Sequence, residues 1–197
     1  MTPPKLLLLA ALTLAGCAAA PVKPRAAEGP SPCSYFPLAV GNTWIYDGPV
    51  RPDGTREPIT ISITGTRDGF FEQTGGQLIQ CDSEGLRDQK RLLLQGPVQV
   101  GHGWKSVVSV GSVEAYQIAA VGAPVTTPAG TFQNTVTTVA KQRIDAKRTL
   151  INETTYAQGV GMIRVATRLQ QGDQVIPQVE IVLQRFTPAP QEDAPRR

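Results

Sequence analysis

The sequence predicts an all-β fold: a strongly curved antiparallel sheet, as a half-barrel or a sandwich, of about nine or ten strands. Three observations predict it. Apolar residues recur with period two, and no stretch of ten or more residues carries a helical repeat. Hairpin-type dipeptides punctuate the chain every few residues. The composition is rich in Val, Ile, Thr and Gln, and it carries 19 glycines and 17 prolines. That mixture suits short strands and many turns.

The first element is an export segment. Lys5 supplies a positive start, Leu6 to Leu14 an apolar run, and Ala15-Gly16 the small residues a cleavage site needs. The run is about half the ~20 residues that span a bilayer. Cys17 closes it, and Leu14-Ala15-Gly16-Cys17 matches a lipobox. The expectation is cleavage after residue 16 and a diacylglycerol on the Cys17 thiol. The alternative is an ordinary signal peptide cut near Ala20. A lipidated Cys17 would anchor the chain to the membrane and place it in the cell envelope. Ala18 favours the outer membrane, facing the periplasm, in a cell with two membranes.

Removing residues 1–16 leaves 197 − 16 = 181 residues, enough for one domain with a sizeable core. The formal charge falls from +3 to +2 with the loss of Lys5, so charge offers no argument for nucleic acid. Residues 17–32 are small and rich in Pro and Ala, and are read as an extended tether. Residues 188–197 are read as a disordered tail. The folded domain is then 33–187. With Cys17 lipidated, Cys33 and Cys81 remain, and an oxidising compartment favours a disulfide between them. Its loop would stabilise the fold by roughly 4 kcal/mol in the chain-entropy model.

Within the domain, Ile59, Ile61 and Ile63 alternate with Thr60, Ser62 and Thr64. Ile163, Val165 and Leu169 alternate with Arg164, Ala166 and Arg168, and Val179, Ile181 and Leu183 share a face. Asp53-Gly54, Asp68-Gly69, Gly75-Gly76 and Gly172-Asp173 are hairpin signals. Thr127-Pro128-Ala129-Gly130 fits a turn with Pro at its second position and a left-handed Gly130. One internal similarity stands out. Pro37, Val40, Gly41 and Trp44 recur as Pro97, Val100, Gly101 and Trp104 at one offset, 97 − 37 = 60. Downstream, Glu57, Ile61 and Gly65 echo Glu114, Ile118 and Gly122 at a shorter offset. Two related turns, each feeding a strand whose Trp caps a core, are expected.

Three motifs in order carry a family resemblance: Pro37-Leu38…Gly41…Trp44-Ile45-Tyr46, Thr127-Pro128-Ala129-Gly130-Thr131-Phe132, and Tyr156-Ala157-Gln158-Gly159-Val160-Gly161. Over residues 35–186 the chain resembles a broad group of bacterial exported proteins and lipoproteins of unknown function. The resemblance implies a curved antiparallel sheet, comparable to periplasmic lipoprotein carriers, and implies no catalytic residues. On physical grounds, Phe132 should fold back on the core. The glycines after Tyr156 should permit a bulge or close backbone approach. Tyr156 should bury its ring while its hydroxyl finds a partner.

Chemistry is sparse. His102, the single histidine, lies between glycines, with no nucleophile motif near it. Asp47, Asp53, Asp68, Glu72, Asp82, Glu84 and Asp88 are scattered in turns without calcium-loop spacing. No metal set and no cofactor motif is present. Lys141, Arg143, Lys147 and Arg148 form a basic stretch that would face anionic headgroups or guard a strand edge. The leading expectation is a non-enzymatic envelope protein that binds an apolar ligand or an envelope partner on its curved sheet. Trp44, Trp104, Tyr116 and Phe132 are the proposed liners. The rivals are an assembly lipoprotein making protein contacts only, and, last, a hydrolase with a dispersed site.

Overall fold

The computed structural model describes residues 29–190. The expected export segment, the lipidation site Cys17, the tether as far as residue 28 and the tail from residue 191 lie outside the described residues. A 3-10 turn, Pro32–Tyr35, opens the fold. Fourteen strands follow: β1 (Thr43–Tyr46), β2 (Ile59–Arg67), β3 (Phe70–Gln73), β4 (Leu78–Cys81), β5 (Gly85–Asp88), β6 (Leu92–Gln95), β7 (Gly103–Ser109), β8 (Ser112–Val121), β9 (Val125–Thr127), β10 (Gly130–Phe132), β11 (Thr135–Arg143), β12 (Arg148–Ala157), β13 (Gly161–Gln171) and β14 (Gln174–Thr187). The expected count of nine or ten is too low. β1, β3, β4, β5 and β6 have four residues each and β9 and β10 have three, too few to display an alternation.

Twelve strands make one antiparallel sheet in the order β6-β5-β4-β3-β2-β1-β14-β13-β12-β11-β8-β7, and β9 and β10 form a separate hairpin. The first six strands are one meander, and the other six are a second. They join where β1 pairs with β14, with Trp44 opposite Phe186. The two free edges, β6 and β7, are consecutive in sequence and come back together. The architecture is therefore a near-barrel with one unsealed seam, in place of the expected half-barrel or sandwich. No ladder closes the seam. Instead the Leu92 N–H donates to Ser106 Oγ at 3.0 Å, and Trp104 Nε1–H donates to Leu92 O at 2.6 Å. Side chains of β7 thus satisfy both backbone groups of an edge residue, which an exposed strand edge otherwise leaves open to aggregation.

Curvature has a visible cause. Seven strand pairs shift register, each by a bulge or irregularity that bends and twists the strand. One of these overturns an expected alternation. Thr155 faces Arg164 and Tyr156 faces Met162, which leaves Ile163 as the extra residue. Met162 and Val165 therefore line the interior cavity, and Ile163 does not share their face.

Three of the four expected hairpin dipeptides join neighbouring strands, Gly172-Asp173 among them with Gln171 opposite Gln174, whereas Asp53-Gly54 lies in the long β1–β2 connection beside only an isolated Val50–Arg56 bridge. Asp68 and Gly69 both have positive φ, 52° and 79°, between β2 and β3. Gly75 and Gly76 do the same between β3 and β4. The β9–β10 hairpin places Pro128 and Ala129 at its tip, and Ala129 N–H reaches Leu183 O at 3.3 Å, docking the hairpin on β14. Phe132 packs half-buried against the core. Cys33 and Cys81 form the disulfide, tying the opening turn to β4.

The internal repeat is real in the backbone. Gly41 N–H donates to Ile63 O at 2.8 Å, and Gly101 N–H to Ile118 O at 2.9 Å. Ile63 N–H donates to Asn42 O, and Ile118 N–H to His102 O. Both glycines have positive φ, 99° and 89°. The downstream partner of Ile118 is therefore Ile63 and not Ile61: β1–β2 corresponds to β7–β8 with an offset two residues shorter than the sequence echo indicates.

Candidate ligand cavity

Strand register builds the site. Across β8, β11, β12, β13 and β14, one row of inward residues runs Ile118, Thr138, Thr154, Val165, Ile181. The next runs Tyr116, Ala140, Asn152, Thr167, and the last Glu114, Gln142, Leu150, Leu169; on β14 these two rows come out to solvent at Val179 and Ile176. Small and β-branched residues in the middle of the first two rows leave room between the strands. The opposite wall comes from the first meander, with Ile61, Gln73, Ile79, Leu86 and Leu93. Between the walls lies a cavity of about 360 Å³. That volume is within the ~300–1,000 Å³ range of small-ligand sites.

One charged pair lines it. Glu114 is 3% exposed and accepts from Arg91 Nε at 3.1 and 3.0 Å on its two oxygens. Tyr116 donates its hydroxyl to Glu114 Oε2 at 2.6 Å. Burial, and then the hydrogen bond to Glu114 and its charge, hold the Tyr116 phenol well above the ordinary range. Burial does the same to Tyr156, with the charge of Asp88 adding to it. Both phenols are therefore neutral at physiological pH.

The four liners named from the sequence separate. Tyr116 lines the cavity, and Trp44, Trp104 and Phe132 are not among its walls. Trp44 is fully buried, stacked between Phe36 at 5.0 Å and Phe186 at 5.3 Å, with Nε1–H donating to Val160 O. Trp104 stacks behind Tyr116 at 5.3 Å and spans the seam. Gly161 allows the close approach expected of its motif: a Cβ there would lie 2.8 Å from Trp44 Nε1. Tyr156 departs from expectation. Its ring is buried, but its hydroxyl makes no hydrogen bond among the described residues, and it lines the cavity.

His102 is apart from the cavity, 5.8 Å from Trp104, and its Nε2 is buried without a partner among the described residues. Several turn carboxylates have structural duties. Asp82 Oδ1 accepts Glu84 N–H, Asp88 Oδ1 accepts Lys90 and Arg91 N–H, and Asp53 Oδ1 accepts Thr55 N–H. In the basic stretch, Asp145 accepts Lys147 and Arg148 N–H and pairs with the Arg148 guanidinium at 2.7 Å. Among the described residues, no group of three or more His, Cys, Asp or Glu side chains is placed to hold a metal. No helix of the described residues is long and apolar enough to cross a membrane.

Glu114, Arg91, Gln73 and Tyr156 were not singled out as site residues from the sequence. For Glu114 a signal existed. In β8 the buried phase is Glu114, Tyr116, Ile118, so a carboxylate occupies the apolar register of an alternating strand. Arg91 and Gln73 sit at strand ends in the short-strand half, where no pattern marks a face.

No family model matches the chain, and no curated protein matches it. Among solved structures, the chain is similar to a "putative lipoprotein" from Parabacteroides distasonis, at 14% identity and a TM-score of 0.39, over 78% of this chain and 98% of that one. It is also similar to a "putative exported protein with YmcC-like fold" from Bacteroides fragilis, at 12% identity and a TM-score of 0.42, over the same shares of the two chains.

Proposed function

We propose that this chain is a lipid-anchored protein of the bacterial cell envelope that holds an apolar ligand inside its β-domain without catalysing a reaction on it. Cys17 carries the anchor, and residues 17–32 tether the domain to the membrane, outer and periplasm-facing where there are two. The observation that carries the ligand reading is the 360 Å³ cavity, walled by Ile61, Ile79, Leu86, Met162, Val165 and Ile181. A partly open, mostly apolar pocket of that size falls in the range of small-ligand sites. Polar side chains, Gln73, Arg91, Glu114, Tyr116, Asn152 and Tyr156 among them, interrupt these apolar walls.

A second reading has its own observation. β14 pairs with β13 from Gln174 to Val182, but β1 covers only its Leu183–Thr187 end. The opposite backbone edge of residues 174–181 is therefore outside any ladder, beside exposed Val175, Ile176 and Val179. An envelope protein could add a strand there, although Pro177 interrupts the donor row.

The test is native mass spectrometry of the exported chain carrying Cys17→Ser, purified without detergent. A co-purifying lipid-sized mass is the expected result. A bare chain that crosslinks to envelope proteins through residues 174–181 would replace the first reading with the second.

A further inference from the structure

Two largely buried polar side chains on the cavity wall make no hydrogen bond among the described residues and leave their polar atoms open to the cavity. Gln73 is 5% exposed and Tyr156 is 2% exposed. They come from different meanders, β3 and β12, and both line the same space. Neither the Gln73 amide nor the Tyr156 hydroxyl makes a hydrogen bond among the described residues. Among the described residues most other buried polar side chains are paired, His102 Nε2 outside the cavity being an exception. Asn42 donates to Pro37 O and accepts from Ala189 N–H, Ser106 accepts from Leu92 N–H, and Glu114 is taken up by Arg91 and Tyr116. Interior polar groups are hydrogen-bonded as a rule, and the exceptions ask for an explanation. Tyr156→Phe and Gln73→Met would remove both groups without changing the packing volume much, so packing alone does not require them.

The charge of the cavity narrows the answer. Its ionisable lining beyond the tyrosines is Arg91 and Glu114, which neutralise each other at 3.0 Å. The nearest further charge is negative: Asp88 Oδ2 is 3.6 Å from Arg91 Nη1. Among the described residues, no uncompensated cation lines the cavity to meet a carboxylate or phosphate. Burying an unpaired anion there is strongly unfavourable, whereas a neutral amide, ester or hydroxyl is served by groups that both donate and accept.

From this we infer that the cavity takes an amphiphile whose polar group is uncharged, bound by Gln73 and Tyr156, with its apolar chain along Ile61, Leu86, Met162, Val165 and Ile181. The inference rests on the reading of the cavity as a ligand site and specifies the class of ligand. It excludes free fatty acids and phosphate-headed lipids bound head-inward.

The test uses the full chain with Cys17→Ser and the neutral dye N-phenyl-1-naphthylamine, displaced at pH 8 by decanamide, decanol or decanoate. We expect decanamide and decanol to displace the dye at concentrations about tenfold or more below decanoate. We also expect Tyr156→Phe and Gln73→Met each to weaken decanamide by about 3- to 10-fold, the equivalent of one hydrogen bond. Decanoate displacing as well as decanamide would overturn the inference and leave the ligand reading standing. So would variants that fold, by circular dichroism, yet bind decanamide unchanged, because ordered water then serves the two groups. Absence of dye binding would overturn both. The head-group comparison uses no cavity variant, so it decides the matter even if the variants fail to fold.

Discussion

The two tryptophan turns share a backbone and differ in what surrounds them. Pro37–Trp44 and Pro97–Trp104 close the same hydrogen bonds, from Gly41 and Gly101 to Ile63 and Ile118. The first leads into β1, which has β2 on one side and β14 on the other, so Trp44 lies at the centre of the sheet, sealed by Phe36 and Phe186. The second leads into β7, an edge strand, and its Trp104 reaches across open backbone to Leu92. Asn42 in the first turn has both ends of its amide bonded, while His102 at the same place in the second leaves Nε2 unpaired. The local motif therefore specifies a turn and a strand start. The neighbours decide whether its Trp locks a core or bridges a seam.

The largest expected difference between the turns is in the tryptophans. Trp44→Ala should lose about 3–5 kcal/mol, a large part of a domain's ~5–15 kcal/mol, because removing a fully buried indole with two stacking partners leaves a large void. Trp104→Ala, on an edge with a slightly exposed ring, should fall at or below the low end of that range. Urea denaturation of both variants measures the gap. Equal losses would mean that the seam is as integral to the core as the β1–β14 junction.

The capping residues should differ in sign. Asn42→Ala removes two bonds and strands Ala189 N–H, with an expected loss of about 1–3 kcal/mol. His102→Asn should instead stabilise by up to about 1 kcal/mol if its amide takes the Pro97 O that already accepts Gln99 N–H, as Asn42 takes Pro37 O. Thermal midpoints of the two variants read this directly. A destabilised His102→Asn would show that the imidazole has packing contacts an amide does not replace.

The smallest expected effect tests the seam itself. Ser106→Ala leaves the Leu92 N–H without its acceptor. A loss of about 1 kcal/mol is expected, with faster amide exchange confined to Leu92 and its neighbours in β6. Exchange that accelerates across β1 and β14 as well would contradict a local, side-chain-closed seam.

What the sequence made legible tracks element length and local chemistry. The all-β class, the turns at Asp68-Gly69 and Gly75-Gly76, and the Cys33–Cys81 disulfide follow from dipeptides and residue types that act within a few residues or by elimination. The closure of β6 against β7 does not. It depends on twist summed over twelve strands and on one Ser and one Trp side chain arriving opposite Leu92. The site was legible only where a strand was long. Tyr116 stands among the aromatic liners expected from the sequence, and the alternation of the ten-residue β8 around it also places Glu114, two residues earlier, on the same face. Gln73 ends a four-residue strand, and nothing around it reveals which way it points. Trp44 and Trp104 were chosen as aromatic liners, but the structure uses their rings for stacking and their indole N–H groups for bridging.

If the interior is occupied in function, filling it from within should abolish binding. Val165 lies in the middle of β13 with its side chain on the cavity wall, so Val165→Phe should occupy the space from within. The measurement is titration of the wild-type and Val165→Phe chains, both with Cys17→Ser, with N-phenyl-1-naphthylamine, alongside their urea midpoints. The variant should stay folded and lose dye binding by about tenfold or more as the volume is removed. A folded variant that binds the dye as well as wild type would contradict the cavity as the ligand site, and would move attention to the open edge of β14.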